Sequence, residues 1–220
     1  MTDTNMVLNG LKNRSDLHLA RKCWHMSGVF IMFLAWQFLP QWVSMSLLIS
    51  AWFLFVPADF MRQRNKELNK SVSRWFRPIM RSSEYDRLAG TTYLLTGALL
   101  ITLVFDKSVV AISLLFLAFA DPIASFVGIK YGKDKIFGHK SVQGFVAGFC
   151  VCALVCYLYL FYNKVEHFVL IVSLLAGLVG ALAELIPLAK LDDNFTMPVM
   201  NLRLKESIEK IASYRKCCES

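Results

Sequence analysis

Between Gly128 and Gly144 the chain packs four glycines, four lysines, one histidine and one serine into 17 residues. Glycines let backbone amides come close to an anion, and lysines bring point charges to phosphate oxygens. Gly128, Gly132, Lys133, Lys135, Gly138, Lys140 and Ser141 are therefore candidate ligands for the phosphates of a nucleotide. The run is not a Walker A loop, which needs G-x-x-x-x-G-K-[ST] between a strand and a helix. A solvated basic loop would account for the lysines, but it would not need so many glycines.

Just ahead of this run, Asp121 ends about 13 apolar residues and precedes Pro122. A proline disfavours helix at the residue before it and suits the first position of a new helix. The spacing predicts a break, with Asp121 as N-cap of a short helix over about 122–131 whose small residues Ala124, Ser125 and Gly128 share a face. Capping is the plain role for Asp121. An ionisable group at the end of an apolar segment, just before a glycine- and lysine-rich loop, is also a candidate for function. Further on, Glu184 continues a helical face of Gly177, Gly180 and Ala181, a pattern that packs inward in a bundle. Asp192 and Asp193, followed by Asn194, offer hard oxygen ligands suited to Mg²⁺ and, through it, to substrate phosphates. Two smaller clusters accompany these. Arg21-Lys22-Cys23-Trp24-His25 places Arg21 and His25 one helical turn apart, and Glu84 to Tyr93 carries Thr91.

The elements that must position these groups are membrane-spanning. The chain has 220 residues, of which 56% are hydrophobic and 18% charged, and its mean hydropathy is +0.48. That composition excludes disordered, coiled-coil, collagenous and disulfide-stapled secreted proteins, and it predicts an all-α polytopic membrane protein. Six apolar segments fall at about 24–39, 42–58, 91–105, 108–129, 144–162 and 167–189. They form a single unit over residues 1–220, with polar tails at 1–20 and 199–220. With six spans, 22 Lys and Arg lie on one side and only Lys107 and Lys164 on the other. The positive-inside rule assigns the basic side, with both termini and every polar cluster, to the cytoplasm. Residues 60–80 intersperse Arg and Lys with Leu68, Val72, Trp75, Phe76 and Ile79, which predicts an interfacial amphipathic helix on that face.

The basic balance reads as membrane topology and implies no nucleic-acid partner. Cys150, Cys152 and Cys156 read as packing residues, while Cys217 and Cys218 are only weak acylation candidates. The polar first twenty residues show no cleavable signal peptide. A transporter would more often carry ionisable groups near the bilayer midplane, whereas here they gather at inner ends. Transport of a phosphorylated solute and a non-catalytic scaffold are the alternatives from other classes. Homo-oligomerisation is open.

Arg21-Lys-x-x-His25, Glu84…Thr91-x-Tyr93, the block from Asp121-Pro-x-x-Ser125 to Lys140-Ser141-x-x-Gly144, and Glu184…Asp192-Asp-Asn-Phe-Thr-Met-Pro198 occur in that order. Together they resemble the CTP-dependent lipid kinases, the family of dolichol kinase, yeast-type diacylglycerol kinase and phytol kinase. The middle block is also similar to phosphatidate cytidylyltransferases. The resemblance implies transfer of the γ-phosphoryl group of a nucleotide, usually CTP, to the hydroxyl of a membrane lipid alcohol. It implies Lys133, Lys135 and Lys140 on the phosphates, and Asp192 and Asp193 on Mg²⁺ with Asp121 or Glu184 beside them. Asp121 would bind metal or accept the lipid proton. Arg21, Lys22, His25 and Thr91 join as nucleotide-side candidates, and Asp121, Lys140 and Glu184 as catalytic ones. Such kinases often continue into another apolar span after the Asp-Asp-Asn motif, but here Asn201-Leu-Arg-Leu-Lys-Glu turns polar at once.

Overall fold

The computed structural model describes residues 19–137, 140–165 and 168–185. Each apolar segment forms a helix, because in long apolar runs only a helix satisfies its own backbone donors and acceptors. In chain order these are α1 (Leu19–Phe38), α2 (Gln41–Arg64), the short α3 (Lys66–Trp75), α4 (Gly90–Val104), α5 (Lys107–Leu115), α6 (Asp121–Tyr131), α7 (Val142–Tyr162) and α8 (Val169–Leu185). A two-stranded antiparallel hairpin, β1 (Lys135–Phe137) and β2 (Lys140–Ser141), joins α6 to α7. Three stretches are long and apolar enough to cross a membrane: Gln41–Arg64, Lys107–Tyr131 and Val142–Tyr162. Gly90–Val104 and Val169–Leu185 are apolar but shorter. The start of α1 carries Arg21, Lys22 and His25.

The break expected at Asp121 is not there. Phe116–Ala120 form a π-helical turn that runs directly into α6, and Asp121 itself has helical angles, φ −58° and ψ −51°. Asp121 is therefore the first residue of α6 and not its cap. In a regular α-helix the Pro122 ring would collide with the carbonyl four residues back. One wide turn ahead of it shifts the register and lets the helix continue.

The core lies around this turn. Phe116, Leu117, Ile101, Val110 and Val29 are fully buried, as are Cys152 and Cys156, in keeping with their reading as packing residues, whereas Cys150 is exposed and packs into no core. The face of α8 that carries Gly177, Gly180, Ala181 and Glu184 is buried, as its small residues predict. A methyl group built on Gly177 would come within 2.8 Å of Ala153 Cβ, and one on Gly180 within 2.8 Å of Cys152 Sγ. By contrast, Trp42, Phe53, Leu103, Leu154 and Leu170 point outward and are more than half exposed. Apolar side chains spread over the outside in this way suit a lipid surface.

Helix α3 is amphipathic with its polar side inward. Asn65 caps it by accepting from the amides of Glu67 (3.0 Å) and Leu68 (3.3 Å). Asn69 and Ser73 are buried, whereas Leu68, Trp75 and Phe76 are exposed, Trp75 by 82%.

Candidate active site

Helix α1 delivers two of the site's side chains to α6. Lys22 Nζ donates to Ser125 Oγ and, at 3.2 Å, to the Pro122 carbonyl. Three residues further along α1, His25 Nε2 lies 3.0 Å from the Leu117 carbonyl and 3.8 Å from Asp121 Oδ2. The π turn lies beside this contact. Widening the helix changes the carbonyl pattern at Leu117 and sets Asp121 toward His25. Lys22 is half-buried, just ahead of the apolar part of α1. Burial lowers its pKa below the ordinary lysine value, and Asp121 opposes that shift. Arg81 and Lys140 lower it further, and Glu184 raises it. Four charged groups from four other parts of the chain thus act on Lys22.

Lys140 and Glu184 form the far side. Lys140 on β2 donates to Glu184 Oε1 at 3.3 Å, and the Glu184 carboxylate is almost wholly buried near the end of α8. A Cβ on Gly148 would sit 3.0 Å from Glu184 Oε2, so only glycine leaves this carboxylate its room.

The glycines of the basic run do structural work. Ser141 caps α7 by accepting from the Gly144 amide at 3.2 Å. A Cβ on Gly144 would stand 2.9 Å from the Ala124 carbonyl, and one on Gly128 would stand 3.2 Å from Ser141 Oγ. Gly128 and Gly144 therefore let α6 and α7 touch backbone to backbone, which fixes Asp121 relative to Lys140. Gly132 lies against Ser141 at the same crossing. Lys133 and Lys135 are exposed on the hairpin, where the Lys133 amide donates to Gln143 Oε1 (3.1 Å) and Gln143 in turn donates to Asp134 (3.1 Å). Gly138, Asp192 and Asp193 lie outside the described residues. Among the described residues no group of three or more His, Cys, Asp or Glu side chains gathers as a metal site. The hard oxygen donors that the described part offers on this side are Asp121 and Glu184.

A second polar network stands behind the first. Arg21 is held by Glu84 through contacts of 2.7 and 2.8 Å and donates to the Ile79 carbonyl at 3.1 Å. Burial alone would raise the Glu84 pKa. The Arg21 guanidinium and the amides of Arg81 and Gly90 outweigh it and hold the carboxyl below the ordinary range. Asp59 and Arg62, one turn apart on α2, form a buried pair at 2.7 Å. Arg62 also donates to Asn69 (2.6 Å), to the Glu84 carbonyl (3.1 Å) and to the Arg87 carbonyl (2.9 Å). Asp59 accepts from the Ala89 amide (2.8 Å) and the Thr92 hydroxyl (2.7 Å). This network pins α3 and the loop before α4 onto α2. Sequence reading passed over Asp59, Arg62, Asn69 and Thr92. The signal was present, because Asp59 ends an apolar run just as Asp121 does.

An apolar cavity of about 410 Å³ lies between α1, α2, α3 and α4. Its polar margin includes Arg21, His25, Glu84 and the exposed Thr91. Thr91 thus borders this cavity together with His25, whereas Lys22, Asp121, Lys140 and Glu184 are not among its lining residues.

Comparison with known proteins places the chain in a family. The model of the cytidylyltransferase family matches residues 6–186. CTP-dependent diacylglycerol kinase 1 of Saccharomyces cerevisiae is 29% identical over 213 residues, covering 87% of this chain and 73% of the relative. An uncharacterised protein of Rickettsia prowazekii is 31% identical over 84% of this chain and 91% of its own length. CTP-dependent diacylglycerol kinase 1 of Schizosaccharomyces pombe is 30% identical over 67% of this chain and 74% of its own. No solved structure matches. The chain belongs to the cytidylyltransferase family and groups with its CTP-dependent lipid kinases.

Proposed function

We propose that this protein transfers the γ-phosphoryl group of CTP to the hydroxyl of a membrane lipid alcohol at the cytoplasmic face of a membrane. Diacylglycerol is the first candidate, because relatives that act on it by name align along most of the chain. Polyprenols and phytol-like alcohols are the neighbouring candidates. The observation that carries the reading is the meeting of Lys22, His25, Asp121, Lys140 and Glu184 where the basic loop meets the ends of apolar helices. Such a site combines cations for phosphate with a carboxylate–imidazole pair for a proton, beside a lipid-facing surface.

In the reaction the lipid hydroxyl oxygen forms a bond to the γ-phosphorus. The bond from that phosphorus to the β–γ bridging oxygen breaks, and CDP leaves with the electron pair. Catalysis of this kind is mostly positioning and charge neutralisation. Lys22 and Lys140 hold phosphate oxygens from two sides, with Lys133 and Lys135 drawing the nucleotide in from the hairpin. Asp121 accepts the hydroxyl proton, with His25 fixing its orientation. Glu84 holds Arg21 and so orders the loop before α4. Mg²⁺ would be held by Asp192 and Asp193, and when bound it would neutralise charge on the phosphates. Six crossings with both termini cytoplasmic complete the reading, supported by 22 basic residues on one side against two on the other. α3 would then lie in the head-group layer, its exposed Trp75 and Phe76 toward lipid.

The test uses purified protein, a panel of lipid alcohols, and CTP labelled either on the γ-phosphate or in the cytosine ring. Label from the γ-phosphate should enter the lipid and cytosine label should not. Cytosine label in the lipid with release of pyrophosphate would reverse the assignment to cytidylyl transfer. Solute uptake into sealed vesicles without phosphorylation would make it a transporter.

A further inference from the structure

We infer that the cavity between α1, α2, α3 and α4 receives the hydroxyl-bearing end of the lipid alcohol, which reaches the phosphates past His25. The inference rests on the kinase reading above. It assigns a site to the lipid, which that reading leaves unplaced.

Three observations carry it. First, His25 belongs to both places. Its ring lines the cavity, and its Nε2 lies 3.8 Å from Asp121 Oδ2, which is outside the lining. A hydroxyl at the His25 end of the cavity therefore lies next to the proton acceptor, while its chain stays on the apolar side. Second, the charges in the wall are spent on one another. Arg21 is paired with Glu84 and Arg62 with Asp59, so this wall suits a neutral amphiphile. A nucleoside triphosphate would meet paired carboxylates there and no lysine among the described lining residues. Third, the wall has an open place for a chain. A Cβ added to Gly28, one turn after His25 on the cavity side, meets nothing within 4 Å. Gly28 is itself exposed, so along this turn of α1 the cavity opens to the outside, where a chain can enter.

The volume, about 410 Å³, lies within the range of small-molecule sites, about 300–1,000 Å³. It holds the part of a lipid near its hydroxyl. The rest of each chain would leave between the outward-facing Trp24 and Phe55, both of which border the cavity and are about half exposed. Exit there puts the chains into the bilayer without burying a whole lipid in the protein.

The test reads lipid and nucleotide separately. Full-length protein in liposomes is exposed to a diacylglycerol that carries a photoreactive diazirine near the glycerol, with and without excess unlabelled diacylglycerol. Labelling that the unlabelled lipid suppresses should map to α1 around Trp24–Gly28 and to the α3–α4 wall. Gly28→Phe, which fills the open place, should cut that labelling at least tenfold. It should raise the KM for lipid by a similar factor and leave nucleotide affinity within twofold. Because labelling needs no turnover, it stands even if the chain proves to phosphorylate a different alcohol or none. A failed kinase assay with suppressible labelling at α1 would thus reject the kinase reading and keep the cavity. Suppressible labelling confined to the outer faces of α7 and α8, or a folded Gly28→Phe variant with unchanged labelling and unchanged lipid KM, would overturn the assignment. Labelling at α1 that unlabelled lipid does not suppress would overturn it too.

Discussion

Lys140 Nζ lies 3.3 Å from Glu184 Oε1, although 44 residues separate them. The lysine proposed to bind phosphate is thus held by the last described helix, and the position of that helix decides where the lysine's charge sits. Glu184→Gln keeps the side chain's shape but removes its charge. Lys140 should then lose its ion pair with Glu184, and kcat should fall on the order of a hundredfold, the effect of misplacing a catalytic group by about an ångström. The nucleotide KM should change much less, because Lys22 still meets the phosphates. Steady-state kinetics over nucleotide concentration would show the split. Normal turnover in a folded Glu184→Gln protein would take the pair out of catalysis.

Lys22 gives the site a pH signature. Burial, opposed by Asp121, puts its folded pKa below the ordinary lysine value of 10.5. If its charge binds phosphate, kcat/KM for the nucleotide should fall as pH rises through that folded value. Stability should do the opposite. The unfolded chain holds this proton to higher pH than the fold does, so between the two pKa values stability rises with pH. Falling activity with rising stability in one pH window separates loss of the Lys22 charge from alkaline unfolding. Lys22→Arg, whose guanidinium stays charged, should remove the alkaline fall. A fall that persists unchanged in Lys22→Arg would point to another group.

The Arg21–Glu84 pair should be visible in acid. With its folded pKa depressed, Glu84 contributes stability that is fully present above its unfolded value, about 4.3. That contribution is lost as pH falls through the lower folded value. Arg21→Ala leaves Glu84 buried without its guanidinium, and burial then pushes the carboxyl up. Acid unfolding should begin at a higher pH in Arg21→Ala than in wild type, followed by tryptophan fluorescence in detergent. Coincident acid transitions would show that the pair adds nothing to the fold.

Much of this arrangement was legible in the sequence. The six apolar runs are helices because hydropathy alone demands it. The small-residue face leading to Glu184 is buried because glycine and alanine repeat at helical spacing. What the sequence could not show is pairing across the fold. Lys22 and Ser125 are 103 residues apart and Arg21 and Glu84 are 63 apart, and no local pattern links either pair. Asp121 went wrong for a local reason, since a proline signals a break whenever a π turn is not considered. Asp59 has the same local signal as Asp121, but beyond Arg62 on its own helix its partners Ala89 and Thr92 lie about 30 residues on, where no local pattern links them.

Gly28 and Gly144 should respond in opposite directions to the same methyl group. At Gly144 a Cβ would stand 2.9 Å from the Ala124 carbonyl, and a backbone atom cannot swing aside as a side chain can. The α6–α7 crossing must open, at a cost of about 1–3 kcal/mol for overpacking. Opening it also moves Asp121 away from Lys140, so activity should fall by more than stability alone explains. At Gly28 the methyl meets nothing, and alanine is the better helix former by about 1 kcal/mol. Thermal unfolding in detergent should therefore give Gly144→Ala a lower Tm than wild type and Gly28→Ala an equal or higher one. If Gly144→Ala kept both wild-type Tm and wild-type turnover, the close crossing of α6 and α7 would not be what positions the site.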